Sequence, residues 1–582
     1  MHGKGVPLLR RGEGRKGVGA NAAPAARSAR GASLLQRALS PKPWLAFAVL
    51  AALVDVWGNR YNLNPDGISY VEMAQHALVD GPGELINGLW SPGYPSLLMW
   101  PLRLAGSAWD VAIPALHAVN LLLYLMALGI FLQLLRAVVR PDRPMLAPAL
   151  AQHVEAFGAA AFASIALVSI GLGLLTPDVA VMLAVMAAAA CCVQLERTAH
   201  AWSWAVALGV VLGGGYWVKG VLLPLNALLL VLLLVVPPRV DRAREKIGVA
   251  ALLFVVMSLP LVGLVSAKVG RPTVGDVGRL NYAWAIDHVT PFVGWLGDST
   301  GRFGTPVHPP RMLQQQPLTL EFATPVRATY PLWYDPSYWY AGLKARIDIG
   351  GQWRALRQGL ADLARVVFGQ VVLAASMIAL WLATAPQPGS RPDRRMPSVL
   401  AAWSLAAAMV FALVHVEPRY LAGFIATGVI AIWAWLSTRR PRRALRWVLP
   451  AAVVALALAL VRDLDRNTGG FDPGYRPDYL LDAAQLRGAG LHSGDHVGTV
   501  GDAFEQYAAF VAGTPITAQV MDSVQYWQLS PGGRLELQRH LAATGVKALL
   551  ANNVAAGMQV EGWRVIVHAD SSNLGVLMLR AP

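Results

Sequence analysis

Four short clusters of polar residues stand where long apolar runs of this 582-residue chain end, and their types could do chemistry. The first is Asp66-x3-Tyr70-x3-Ala74, followed by Trp90-Ser-Pro-Gly-Tyr94-Pro95; helical steps of four put Asp66, Tyr70 and Ala74 on one face. The second is Thr176-Pro177-Asp178. The third is Lys219-Gly220, after Gly213-Gly214-Gly215-Tyr216-Trp217. The fourth packs His415, Glu417, Arg419 and Tyr420 into six residues. Paired carboxylates can take a proton from a hydroxyl, or hold a divalent cation. An Arg fork and a Lys ammonium match the oxygens of a phosphate. Each cluster also has a plainer reading. Asp66 and Asp178 would serve as helix N-caps, Lys219 would snorkel to headgroups, and Glu417 would simply pair with Arg419.

The elements that position these groups are read from composition. With 55% hydrophobic and only 14% charged residues, against about 25% charged in an ordinary soluble domain, the chain is an integral membrane protein. Apolar runs near 44–57, 111–135, 154–175, 179–195, 202–218, 221–236, 247–266, 366–383, 399–414, 421–438 and 447–461 predict an α-helical bundle of about eleven transmembrane helices. The net charge of +15 does not point to nucleic acid, because the basic residues cluster in short loops between apolar runs. The positive-inside rule then places the N-terminus inside, the C-terminus outside, and all four clusters on the outer face. The brevity of the Pro177-Asp178 link invites merging the third and fourth runs, but merging would invert every later basic loop.

Residues 1–41, with Lys4, Arg10, Arg11, Arg15, Lys16, Arg27, Arg30 and Arg37 among Gly and Ala, read as a disordered basic tail without a signal peptide's apolar core. Residues 42–461 form the membrane module, with outer loops at 59–110 and 268–365. The second loop carries Tyr330-Pro-Leu-Trp-Tyr-Asp-Pro-Ser-Tyr-Trp-Tyr340, which suits an interfacial aromatic belt or stacking on sugar rings. Residues 462–582 alternate short strands and helices and predict a small outer α/β domain. Its Gly501-Asp502 turn lacks the spacing of a nucleotide-binding loop. Cys191 and Cys192 are adjacent in an apolar run and read as packing residues.

Taken in order and by side, these motifs resemble those of the C-type membrane glycosyltransferases, in the branch related to protein O-mannosyltransferases and lipid A aminoarabinose transferases. The resemblance covers about residues 42–440 and rests on Asp66-x3-Tyr70-x3-Ala74, Trp90 to Pro95, Asp178, Lys219-Gly220 and Glu417-Pro-Arg-Tyr420. It implies a GT-C-like fold and a sugar donor carried on a polyprenyl phosphate. It also implies an acceptor that is lipid, glycan or protein, at the outer face of a bacterial inner membrane. Asp66 and Asp178 would be catalytic, Lys219 and Arg419 would hold the donor phosphate, and Tyr70, Trp90, Tyr94, His415, Glu417 and Tyr420 would position substrate. Gly67 stands where some relatives carry a second acid, and Glu72 lies off Asp66's helical face, so no metal site is inferred although a divalent cation would suit paired acids. A lipid-linked glycan transporter or flippase, or a non-catalytic envelope-assembly protein, are the alternative classes.

Overall fold

A computed structural model describes residues 40–106, 108–139, 148–290, 295–297, 300–322, 328–387, 394–467, 471–568 and 573–579. The basic tail up to residue 39 lies outside the described residues, as do Arg140, Arg143 and Arg391 of the inner loops. The bundle helices are α1 (Pro41–Gly58), α2 (Pro65–Asp80), α3 (Gly93–Ala105), α4 (Trp109–Val138), α5 (Pro148–Ser169), α6 (Asp178–Arg197), α7 (Ala201–Val218), α8 (Leu222–Val235) and α9 (Ala243–Val269). They continue with α10 (Ile349–Gly369), α11 (Val371–Leu382), α12 (Arg395–Ala412), α13 (Pro418–Leu436) and α14 (Leu445–Asn467).

Seven of these helices are long and apolar enough to cross a membrane, and an eighth crossing arises if α10 and α11, bent by 76° at their junction, act as one. The protein is thus a multi-pass membrane protein, but this count is lower than the eleven read from hydropathy. The reason lies partly in length. α8 has 14 residues, about 21 Å at 1.5 Å each, short of the roughly 30 Å hydrocarbon core. α1 carries a buried Asp55 and packs on α5 and α4.

The third apolar run does not stay helical to residue 175. α5 stops at Ser169, and 170–177 form an irregular connector to α6. Non-helical backbone buried inside the protein needs partners, since water does not reach it to replace a lost hydrogen bond. Five side chains supply them. Asp55 Oδ2 accepts from Leu172 N at 2.6 Å, His117 lies 3.2 Å from Leu172 O, and Asn120 Nδ2 donates to Leu172 O and Leu174 O at 3.2 and 2.7 Å. Asn62 donates to Gly173 O at 3.0 Å, and Asn64 Oδ1 accepts from Leu175 N at 3.3 Å. Asp55, His117 and Asn120 did not stand out in the sequence, because single polar residues in apolar helices carry no spacing signal.

Beyond the bundle a seven-stranded sheet runs β1 (Arg311–Gln315), β2 (Leu318–Glu321), β3 (Val497–Val500), β4 (Ile516–Val520), β5 (Ala548–Ala551), β6 (Trp563–Ile566) and β7 (Leu574–Met578), in spatial order β1-β2-β4-β3-β5-β7-β6. β3 is parallel to both neighbours, and the remaining pairs are antiparallel. The alternation read between 497 and 579 is therefore present. The sheet also takes β1 and β2 from the long outer loop, with Thr319 opposite Val520. This pairing draws the aromatic segment inward. Tyr330, Trp333, Trp339 and Tyr340 are all buried, so it is core and not the exposed belt expected. Tyr330 donates to Gln519 Oε1 at 3.0 Å and meets Phe504 ring to edge at 5.5 Å, tying loop to sheet.

Asn120→Ala removes its two hydrogen bonds to the 170–177 connector and the acceptor for the Tyr94 hydroxyl, 2.9 Å away. Each stranded buried group costs about 1–3 kcal/mol. Unfolding in detergent micelles is expected to shift to lower temperature or denaturant; an unchanged transition would show that the connector is held by its other partners.

Candidate active site

Chain geometry brings the four clusters to one end of the bundle. Asp66 lies in the first turn of α2, Asp178 opens α6, Lys219 follows α7, and Arg419 lies in the first turn of α13. Neither acid is an N-cap: Asn64 and Pro177 hold those positions. Carboxylates in a first turn gain from the helix dipole, whereas a guanidinium there is disfavoured. Arg419 is accordingly met by acid on three sides. Its Nε donates to Glu417 at 2.5 Å, its Nη2 to Asp66 at 3.3 Å, and its Nη1 lies 3.6 Å from Asp178.

Asp178 is the deepest of the three, with a side chain 1% exposed. It accepts from Lys219 Nζ at 2.6 Å and from the Thr176 hydroxyl at 2.8 Å. The Lys219 ammonium also sits over the Tyr420 ring, 4.1 Å from its centroid, and Tyr420 stacks on Phe411 of α12. Asp66 is 41% exposed, so the acids differ in access. Asp66 faces the cavity while Asp178 anchors the cations.

Gly67 explains why no second acid follows Asp66. A Cβ there would fall 2.6 Å from Asn64 Oδ1 and 2.9 Å from Leu175 Cβ, so a side chain would push α2 off the connector. The second carboxylate comes instead from a different helix. Glu72 turns away, as its position predicted: it is buried and accepts from Thr329 N at 2.7 Å. Among the described residues no group of three or more His, Cys, Asp or Glu is arranged to hold a metal ion.

The remaining candidates fall into two places. Tyr70, Trp90 and Tyr94 form an edge-on aromatic cluster, with Tyr70 5.2 Å from Trp90 and 5.5 Å from Tyr94. Tyr94 is fully buried, and Trp90 Nε1 donates to Trp333 O at 2.9 Å. These residues pack beneath Asp66. Gly93 lets their turn press on the end of α7, where a Cβ would lie 2.8 Å from Trp217 O, next to Lys219. His415 stays at the rim, 56% exposed, with Nε2 3.0 Å from Glu417 Oε1. Burial alone would raise Glu417, but the bonds from His415 and Arg419 outweigh it and hold the carboxyl at about 2. The same bond raises His415 above its ordinary 6.5.

Asp66, Glu417 and Arg419 line a cavity of about 570 Å³ together with Asn64, Leu174 and, from the C-terminal segment, Phe504. One guanidinium and two carboxylates thus face one space. Such a space can bind an anion such as phosphate and take a proton from a nearby hydroxyl.

No family model and no curated protein matches the sequence. Solved structures do match. ArnT from Cupriavidus metallidurans bound to undecaprenyl phosphate aligns with a TM-score of 0.54 at 15% identity, over 92% of this chain and 98% of that one. Its apo structure aligns with a TM-score of 0.51 at 16% identity over the same shares. The oligosaccharyltransferase of Archaeoglobus fulgidus in complex with Zn and sulfate aligns with 0.46 at 12% identity, over 87% of this chain and 68% of that one. The chain is built on the fold of ArnT, as the resemblance of its motifs implied.

Proposed function

We propose that this protein is a membrane glycosyltransferase that moves a sugar from a polyprenyl-phosphate donor to an acceptor hydroxyl at the outer face of a bacterial inner membrane. The observation that carries this reading is Arg419, bridging Asp66 and Asp178 at the mouth of one cavity with Lys219 behind it. A likeness in fold to ArnT, solved with undecaprenyl phosphate, supports the donor class. In this reading the N-terminus lies inside and the C-terminal domain outside.

The reaction would be a single displacement. Asp66 takes the acceptor's hydroxyl proton, the oxygen forms a bond to the anomeric carbon from one side, and the bond to the phosphate oxygen breaks on the other. The phosphate departs with the electron pair, its charge met by Arg419 and Lys219, and configuration inverts. Arg419 is already engaged by three acids, so an incoming phosphate must compete for it. Its contact with Asp66 is longer than that with Glu417 and involves the most exposed of the three acids, which makes Asp66 the partner that yields. Donor binding would then free the base at the moment it is needed. Tyr70, Trp90 and Tyr94 act beneath it by fixing the first turn of α2.

Asp66→Asn, in lipid nanodiscs with a polyprenyl-phosphate sugar, is expected to lower kcat by about 100- to 10,000-fold, the usual worth of a positioned base. Near-normal turnover would remove Asp66 from that role. Arg419→Ala should weaken binding of the polyprenyl phosphate by at least tenfold, with Arg419→Lys in between because it keeps charge but loses the fork. Equal affinity in all three proteins would mean the phosphate is held elsewhere.

The His415–Glu417 pair gives a pH window. His415 has a raised folded value, so its contribution is complete below about 6.5 and fades as pH rises through that folded value. Glu417 has a depressed one, so its contribution is complete above about 4.5 and is lost as pH falls toward about 2. The stability difference between wild type and His415→Gln should therefore be largest between about pH 4.5 and 6.5 and vanish in alkali. At this exposed rim it should not exceed about 1 kcal/mol. A difference that grows with pH would reverse the assignment.

A further inference from the structure

A second cavity, of about 550 Å³, is lined by residues that adjoin those of the first along the chain. Asn64 to Asp66 line the first cavity, and Tyr61 to Leu63 line the second. Phe504 faces the first, while Glu505 to Tyr507 face the second. Leu63 and Asp66 are three residues apart, at most about 11 Å of chain. The two spaces are neighbours.

The lining of the second cavity has a definite chemical character. Aromatic rings come from Tyr61, Tyr475 and Tyr507, planar amides from Gln506, Asn552 and Asn553, and carboxylates from Asp478, Asp482 and Glu505. No Lys or Arg lines it among the described residues. Arg60, which donates to Trp57 O at 2.7 Å and to Asp472 O at 2.5 Å, lies over the Tyr61 and Tyr475 rings at 5.2 and 6.0 Å, and Arg476 lies over Tyr61 at 5.6 Å, so Tyr507 is the lining ring with no guanidinium over it among the described residues. His568 is held against Asp482 at 2.9 Å, which fixes its ring on the wall. Gln506 is 1% exposed and donates to Asn552 Oδ1 at 2.9 Å, yet its Oε1 has no partner among the described residues. A buried amide oxygen left unpaired costs about 1–3 kcal/mol unless a donor reaches it.

Flat rings beside fixed amides and carboxylates fit a molecule with an apolar face and a hydroxylated edge, as a sugar has. The absence of cations from the lining disfavours a phosphate or nucleotide. Carboxylates alone would also attract a basic peptide, but the Tyr507 ring and the Gln506–Asn552 amide pair match a sugar better. We propose that this cavity binds the sugar chain of the acceptor, neutral or amine-bearing, beyond the residue whose hydroxyl reacts at Asp66. The proposal rests on the transferase reading above and gives it an acceptor class. The C-terminal domain then holds the acceptor against the bundle.

Binding is tested apart from turnover. Full-length Asp66→Asn protein in nanodiscs is applied to an array of neutral hexose oligomers, glucosamine oligomers and phosphorylated oligosaccharides. Retention is expected on neutral or glucosamine spots. It should weaken at least tenfold in a second protein that adds Tyr507→Ala, and remain in one that adds Tyr507→Phe, which keeps the ring. His568→Gln, which keeps a polar group on the wall, should weaken it at least threefold. Retention on no spot, on phosphorylated spots alone, or unaltered by these changes would overturn the subsite, as would stronger competition by an oligolysine peptide. Glycan binding by a wild-type protein that transfers no sugar would defeat only the transferase reading. Transfer without array binding would defeat only the subsite.

Discussion

The carboxylate of Asp178 is the constraint on which the rest of the site depends. An ion so deeply buried costs several kcal/mol in lost hydration and survives only when its oxygens are met by charge and hydrogen bonds. Lys219, Arg419 and Thr176 meet them, from the end of α7, the start of α13 and the 170–177 connector. Three separate pieces of chain must therefore arrive together. Arg419 in turn draws in Asp66 and Glu417, so that one buried charge fixes the positions of two further candidate residues it does not itself touch.

The connector ahead of Asp178 carries a matching cost in backbone polar groups. Asp55, Asn62, Asn64, His117 and Asn120 meet it from α1, α4 and the link between α1 and α2. Asn120 joins this set to the aromatic cluster through Tyr94, and Tyr70 of that cluster lies one helical turn beyond Asp66. Polar residues inside the bundle thus act as a scaffold for acids at its rim. The C-terminal sheet continues the same logic outward, since β2 on β4 carries the buried aromatic segment to Trp90 and Phe504 to the cavity wall.

Much of this was legible from residues alone. Helices at most of the predicted apolar runs, the common end of the four clusters, and the succession of strands and helices from 497 to 579 follow from hydropathy, basic loops and local alternation. Three features were not. The run 154–175 is apolar enough overall to read as one span, and the local stop signal at Ser169-Ile-Gly171, where Gly171 takes a positive φ, was outweighed by that hydropathy. The aromatic stretch 330–340 has the composition of an interfacial belt, and only strand pairing with the distant β4 buries it. Asn120 and His117 are single polar residues whose meaning lies in what faces them.

The sequence by itself determined that this is a membrane protein, where most of its helices run, and which acids and cations gather at one end, because hydrophobicity and charge act along the chain. Tertiary structure alone decided which carboxylate is buried and which is open. It also decided that one arginine spans three acids, and that Gly67 leaves no room for another. Those outcomes depend on distances of a few ångströms between segments up to 350 or so residues apart, as in the contact between Arg419 and Asp66. No pattern in a linear sequence encodes such a distance directly, since it is set by how every intervening helix packs.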